Sequence, residues 1–317
     1  MKNLLLILLL LAEVVLFSAI GGQSFHSMDD IAPYVQGLLE QSGHILFLAF
    51  GMTVVLMTAG IDLSVGSMVA LVACVMSSFP EGGSFWWSAV PAGLCLGLLL
   101  GFTNGALIAF FDIPPIIATL GTMIFYRGLC FVVMGDLEKA PFLSVPGYAW
   151  LVGYQASLFF IVLVFCGGGF AFYRSRWRRE ILMMGGNRVA ARYAGVPVSR
   201  RTCQVYTLLG GLSFLSALLY TARNSSVSAS ALTGLELKVI VAAVLGGTRV
   251  QGGSGSLTGS FLGVFVILVL DEGLRGATQW GNEHLPFSIS HLQYVCLGGL
   301  LVLGVWLHTH VGKGGKR

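Results

Sequence analysis

Long apolar runs, interrupted at intervals by glycine, proline and small polar residues, set the pattern of this chain. Runs of about 18 or more apolar residues read as membrane-crossing helices, and shorter ones as broken or re-entrant segments. Residues 1–22 form the first; the apolar stretch continues past Glu13 to Ile20 and lacks a small-x-small cleavage site, which favours an uncleaved helix over a signal peptide. Residues 23–42 are polar, hold Asp29, Asp30 and Glu40, and predict an extramembrane segment. Further spans are predicted at 44–59, 67–78, 85–111, 116–134, 156–173, 203–222, 260–270 and 290–308. Residues 235–247 are short enough to be re-entrant, residues 136–155 read as a loop, and Pro114-Pro115 breaks the chain after Asp112. The pattern predicts an all-α integral membrane protein, a single domain over residues 1–317 with about ten hydrophobic segments. Each half holds an apolar run, a glycine-rich break and another apolar run; with five spans per half such repeats would be inverted, but the two breaks do not align with each other.

Residues 51–76, GMTVVLMTAGIDLSVGSMVALVACVM, hold the most informative interruption. Between two apolar runs they place Gly60, Asp62, Ser64, Gly66 and Ser67. A carboxylate at mid-membrane costs roughly 2.5–3.5 kcal/mol on insertion scales, so it is seldom there without a partner, water or a function. The local reading is a turn in which Gly60 ends one helix and Asp62 or Ser64 caps the next.

Composition confirms the class: 56% of residues are hydrophobic and 10% charged, against about 25% charged in soluble domains. The 43 glycines suit close helix packing in lipid. The net charge of +4 is not arranged as a basic stripe with interleaved aromatics, which argues against nucleic acid as a partner. Charge is instead concentrated in one segment, 174–203, where Arg174, Arg176, Arg178, Arg179, Arg188, Arg192, Arg200 and Arg201 face the single acid Glu180. Such clustering marks the cytoplasmic side. Lys2 and the terminal Lys313, Lys316 and Arg317 agree, giving N-in and C-in, with Asp271, Glu272 and Glu283 in an outer loop and the 59–67 break toward the cytoplasmic ends of its spans.

Within the basic segment, Gly185-Gly186-Asn187-Arg188-Val189-Ala190-Ala191-Arg192-Tyr193-Ala194-Gly195-Val196-Pro197 reads as a two-turn helix. Asn187 is its N-cap, Gly195 its left-handed stop and Pro197 the breaker, with Val189 and Tyr193 on one face and Arg188 and Arg192 on another. So short a helix is marginal in water, so it rests either on its own membrane domain and headgroups or on a cytoplasmic partner.

The stretch 246–259, GGTRVQGGSGSLTG, lacks the Lys-Ser/Thr of a phosphate loop and reads as tight backbone turns between membrane segments. Glu236 and Lys238 open a segment, at an interface or beside a path. Asn104 and Thr119 lie in apolar runs, where helix–helix hydrogen bonding is a commoner use than lining a path. Arg127 snorkels or pairs with Asp136 or Glu138. The histidines, His308 and His310 included, show no metal spacing, and the six scattered cysteines form no C-x-x-C pair and read as small buried hydrophobes.

Four stretches together resemble the permease subunits of bacterial ATP-binding cassette importers for monosaccharides, the ribose, xylose and galactose type, related to branched-chain amino acid permeases. They are GMTVVLMTAGIDLSVGS, GFTNGALIAFFDIPPIIATLGTMIFYRGL, GGNRVAARYAGV and GLELKVIVAAVLGGTRVQGGSGSLTGSFLG, in family order over residues 45–275. Ala59 stands where the family usually has glycine. The resemblance implies a ten-helix, multi-pass permease of the bacterial inner membrane that dimerises around a path with a second copy or a paralogue. It implies two ATPase subunits inside, which carry ATP and magnesium while this chain holds no cofactor, and a periplasmic or lipid-anchored solute-binding protein outside. It further makes Gly186, Asn187, Ala190, Ala191 and Gly195 the element that couples to the ATPase, and the permease itself no enzyme. Two other classes are open to the residues alone: a secondary transporter or channel using Asp62, Glu236 or Asp271 for ion coupling, and a membrane scaffold without a path.

Overall fold

The computed structural model describes residues 2–20, 28–79, 85–135, 138, 145, 147–224, 226–284, 294–300 and 302–303. Helices carry the fold: α1 (Lys2–Ile20), α2 (Met28–Met57), α3 (Val65–Met76), α4 (Phe85–Phe110), α5 (Pro115–Met134), α6 (Ala149–Val152) and α7 (Tyr154–Ile161). After a π-helical stretch, Val162–Gly168, follow α8 (Gly169–Arg174), α9 (Arg176–Gly186), α10 (Arg188–Tyr193), α11 (Val198–Arg223), α12 (Leu235–Leu245) and α13 (Leu257–His284). Among the described residues six helices are long and apolar enough to cross a membrane: Ile31–Met57, Phe85–Phe110, Pro115–Met134, Tyr154–Arg174, Val198–Arg223 and Leu257–Arg275. Leu6–Leu16 and Val65–Met76 are shorter apolar helices. The protein is an all-α membrane protein. The predicted last span at 290–308 lies largely outside the described residues, although 294–300 is helical.

α11 is the central helix, packed against α4, α2 and α3. A stripe of glycines on α4 brings it against α11 backbone to backbone. A Cβ on Gly97 would come 2.6 Å from the Gly210 carbonyl oxygen, one on Gly101 2.9 Å from the Gly210 Cα, and one on Gly105 2.7 Å from the Cys203 Cα. With no hydrophobic drive between helices in lipid, such close approach is what holds them together. Pairing Gly105 with Cys203 and Gly97 with Gly210 makes α4 antiparallel to α11. Likewise Gly51 meets Leu209 and Gly43 meets Leu219, so α2 is antiparallel to α11 too. α3 turns back from the end of α2: Ser64, just before it, meets Asn104, and its last residue Met76 meets Gly93. At 12 residues α3 is about 18 Å long, short of a full crossing. α13 packs on α1, α12 and α2 and is tied to α2 by a Thr53–Ser260 hydroxyl bond of 2.6 Å.

Four expectations are corrected. The polar segment 23–42 is not separate from the following span, because α2 is helical from Met28 and buries Leu38 and Ser42 on the bundle. The loop at 136–155 contains α6 and the start of α7, with Tyr148 buried against Phe85. Asp271 is not in a loop: it lies within α13, buried, and forms an ion pair with Lys238 of α12, which removes the cost of leaving either charge unpaired. Arg127 does not pair with Glu138, and Asp136 lies outside the described residues; the Arg127 Nη1 donates to the carbonyls of Ala229 and Ala231, 2.7 Å each, and so pins the segment ahead of α12.

Candidate functional site

The interruption between α2 and α3 is a hydrogen-bonded knot. α2 ends in a turn where Gly60 N–H donates to the Val55 carbonyl (3.3 Å) and Ala59 N–H to that of Leu56 (2.9 Å). This is the glycine-type helix stop, in which one residue adopts the left-handed conformation. That residue is Ala59, at φ +62, and not Gly60. Gly60 is required for a different reason: a Cβ there would come 2.6 Å from the Tyr206 hydroxyl oxygen of α11.

Asp62 follows, fully buried. Its Oδ1 accepts from the Ser64 N–H (2.8 Å) and the Ser64 hydroxyl (2.7 Å), and its Oδ2 from Asn104 Nδ2 of α4 (3.0 Å). Asn104 Nδ2 also donates to Ser64 Oγ at 2.7 Å, and its Oδ1 lies 3.3 Å from the Tyr126 hydroxyl of α5. Thr119 of α5 and Tyr206 of α11 reach the Ile61 carbonyl at 3.3 and 3.5 Å. Ser64 occupies the cap position of α3, but its side chain makes no cap bond; it is spent on Asp62, and Ser67 Oγ donates to the Ser64 carbonyl instead. The residues predicted separately as a break (Gly60, Asp62, Ser64) and as path lining (Asn104, Thr119) thus form one buried cluster tying α3, α4, α5 and α11 together. Asn104 and Thr119 are fully buried within that tie. Tyr126 and Tyr206 were missed, because an aromatic inside an apolar run carries no signal of its hydroxyl's partner.

Gly66 and Glu236 also meet. A Cβ on Gly66 would come 2.5 Å from Glu236 Oε2 and 2.9 Å from the Leu232 carbonyl oxygen. α12 therefore starts beside the first turn of α3. The segment before it returns from the far end of the bundle, where Ser228 O accepts from Cys74 Sγ near the end of α3 (3.9 Å). The predicted short segment is a half-helix preceded by an in-turning loop, and Leu232 and Gly234, at φ +61 and +86, make its turns.

The basic segment builds a second unit. Ser175 caps α9, accepting from the Arg178 N–H at 3.1 Å, and Asn187 Oδ1 caps α10, accepting from the Ala190 N–H at 3.0 Å. Gly195 closes α10 at φ +81. α9 is fastened to α11 by the Arg201–Glu180 ion pair and by Trp177 Nε1 donating to Gln204 Oε1 (3.1 Å). Ala191 is buried with Met184, Val196 and Val198 in a small apolar seat beneath α10, and Arg188 donates to Thr202 Oγ1 at 3.2 Å. Above the seat Val189 and Tyr193 point outward, and Tyr193 is 90% exposed. Gly186, Asn187 and Ala190 are exposed beside them.

The two units touch through glycine. Gly185, at the end of α9, lies so close to the end of α2 that a Cβ would overlap the Met57 carbonyl oxygen and come 2.6 Å from the Gly253 nitrogen. Gly253 N–H donates to that same carbonyl at 3.0 Å. Its neighbour Gly252, at φ +83, would place a Cβ 2.7 Å from the Ala59 nitrogen. The glycine-rich loop is therefore a wedge between α9 and the broken helix. Its composition was legible as tight turns, but the partners it packs against were not.

A bundle with a half-helix, a buried polar break and a basic, partly unpartnered helical knob has the make-up of the membrane domain of a transporter. The chain belongs to the family described as branched-chain amino acid transport system / permease component, whose model matches residues 34–305. It is 33% identical over 281 residues to the ribose import permease protein RbsC of Escherichia coli K12, covering 86% of this chain and 85% of that one. It is 34% identical over 282 residues to the autoinducer 2 import system permease protein LsrC of Klebsiella pneumoniae, covering 84% and 76%. Over 258 residues it is 31% identical to the ribose import permease protein RbsC of Haemophilus influenzae, covering 79% of each. No solved structure matches the chain.

Proposed function

We propose that this chain is the permease subunit of an ATP-binding cassette importer that brings a sugar or sugar-like solute into the cytoplasm across a bacterial inner membrane. Membership of the permease family and the import functions named for its relatives support the reading. In it, ATP and magnesium are bound and ATP is hydrolysed on a separate subunit, a solute-binding protein delivers substrate from outside, and two permeases flank the path. The full chain crosses about ten times with both ends inside. The arginine excess at 174–201 supports a cytoplasmic position for that end of the bundle.

The observation that carries the coupling role is the presentation of α10. Buried Ala191 holds a rigid seat, the caps Asn187 and Gly195 fix the helix ends, and the large side chain of Tyr193 projects into solvent. Exposed aromatics of this kind are typical anchors of protein interfaces. The ATPase receives Tyr193 and Val189, and its movement reaches the break through α9, Gly185 and the glycine wedge. Asp62 is spent on the hydrogen-bonded knot, which disfavours ion coupling through it.

Substituting Tyr193→Ala tests the assignment. Loss of an interface anchor is worth about 2 kcal/mol, or about thirtyfold in affinity for the ATPase, with membrane insertion unchanged. Undiminished co-purification of the ATPase with the Tyr193→Ala protein would refute the docking role.

A further inference from the structure

Beside the ATPase-facing knob, and not part of it, lies a groove of about 950 Å³ between α4, α9 and the first turns of α11. Its composition is graded along its length. α4 and α11 run antiparallel here, so Phe110 lies toward the α11 start and Leu98 farthest from it. Leu98, Phe102 and Leu208 form an apolar floor, and Leu98 and Phe102 are exposed on it. From residue 98 to 110 the floor covers about 18 Å of helix, space for an extended acyl chain.

The other end is cationic and hydrogen-bonding: Ser199, Arg200 and Arg201 from α11, with Trp177 of α9. Arg201 is spent on Glu180 and Gln204. Arg200 is exposed and, among the described residues, no carboxylate pairs with it. Trp177 keeps its indole N–H on Gln204 while its ring lines the groove, the placement of a residue at a membrane–water boundary.

We infer that this groove binds an anionic phospholipid, its phosphate against Arg200 and Ser199 and an acyl chain along Phe102 and Leu98. Charge selects this occupant. A basic pocket at the cytoplasmic boundary of membrane helices suits an anionic headgroup, whereas a second copy docked here about an axis along the membrane normal would bring two like basic ends together at the same depth and supply no anion for Arg200. The bound lipid would brace α9 against α4, and so hold the arm that carries the coupling helix.

The test uses the full chain purified in a mild detergent and native mass spectrometry with phosphatidylglycerol or phosphatidylcholine of identical acyl chains. Wild type retains phosphatidylglycerol preferentially, and an excess of inorganic phosphate does not displace it. Arg200→Gln weakens that retention about fivefold, the worth of one arginine near an anionic surface, and leaves phosphatidylcholine unaffected. Arg174→Gln removes the same charge from a side chain stacked on Phe170, outside the groove, and leaves retention near wild type. Equal loss in both variants would mean general attraction to the basic segment and would overturn the site. Displacement by inorganic phosphate, or lipid carried by monomers and excluded from dimers, would overturn it as well, the latter assigning the groove to a second copy.

Discussion

Replacing Gly185 by alanine puts a methyl group into the carbonyl oxygen of Met57 and 2.6 Å from the Gly253 nitrogen. Neither neighbour is the end of a flexible side chain; both are backbone, so α9 itself must shift. The shift disturbs the 3.0 Å Gly253–Met57 hydrogen bond, worth about 1 kcal/mol, and adds an overpacking cost of about 1–3 kcal/mol. Together they weaken the contact between the coupling arm and the broken helix by about 2–4 kcal/mol, while the outer face of α10 is untouched. Since coupling energies between sites are typically about 1–3 kcal/mol, that is enough to disconnect them. The expected phenotype is selective: the ATPase co-purifies as with wild type, and ATP-driven uptake in reconstituted vesicles falls at least about tenfold. Gly167→Ala, outside the docking helix and the glycine wedge, is the control. A Cβ there meets nothing within 4 Å, and alanine favours the helix by at most about 1 kcal/mol, so uptake stays at the wild-type level. Equal uptake by both variants, whether normal or impaired, would refute the claim that Gly185 carries the connection.

Three further outcomes follow from the break. Asp62→Leu strands the Ser64 N–H and an Asn104 N–H in a dry site at about 1–3 kcal/mol each, whereas Asp62→Asn keeps one acceptor oxygen. Transport and thermal stability should therefore fall in the order wild type, Asn, Leu, and identical losses for two folded variants would dismiss the acceptor role. Ala59→Gly relieves a left-handed alanine, worth about 1 kcal/mol, and should raise the melting temperature by about 2 °C in a detergent scan; a drop would show that the Ala59 methyl matters more than its backbone. Asn104→Leu removes the donor to both Asp62 and Ser64 and should destabilise by at least as much as Asp62→Asn, read in the same scan.

The all-α membrane class, the break at Gly60–Gly66, the short half-helix near Glu236 and the capped helix at Asn187 were all legible as local patterns: apolar periodicity, misplaced carboxylates, caps and stops. The candidate residues were legible one by one, yet their assembly was not. Nothing in one dimension says that Asn104 faces Asp62 across 42 residues, or that Gly253 donates to Met57. Tyr206 and Tyr126 look like any buried aromatic until a hydroxyl finds a carbonyl or an amide. Glycine told of close approach in general, and only the packing separates Gly185, which has no space, from Gly186, which has all it needs. Ala59 shows the converse: the strong preference for glycine at a left-handed stop points to Gly60, while the helix stops one residue earlier and bears the strain.

The central claim is that this permease moves solute only when an ATPase drives it through α10. Monosaccharide uptake in sealed vesicles tests it most directly, measured with and without the ATPase, the solute-binding protein and ATP-magnesium. Uptake should require all of them and be indifferent to a protonophore. Uptake that persists without the ATPase and follows the proton gradient would contradict it.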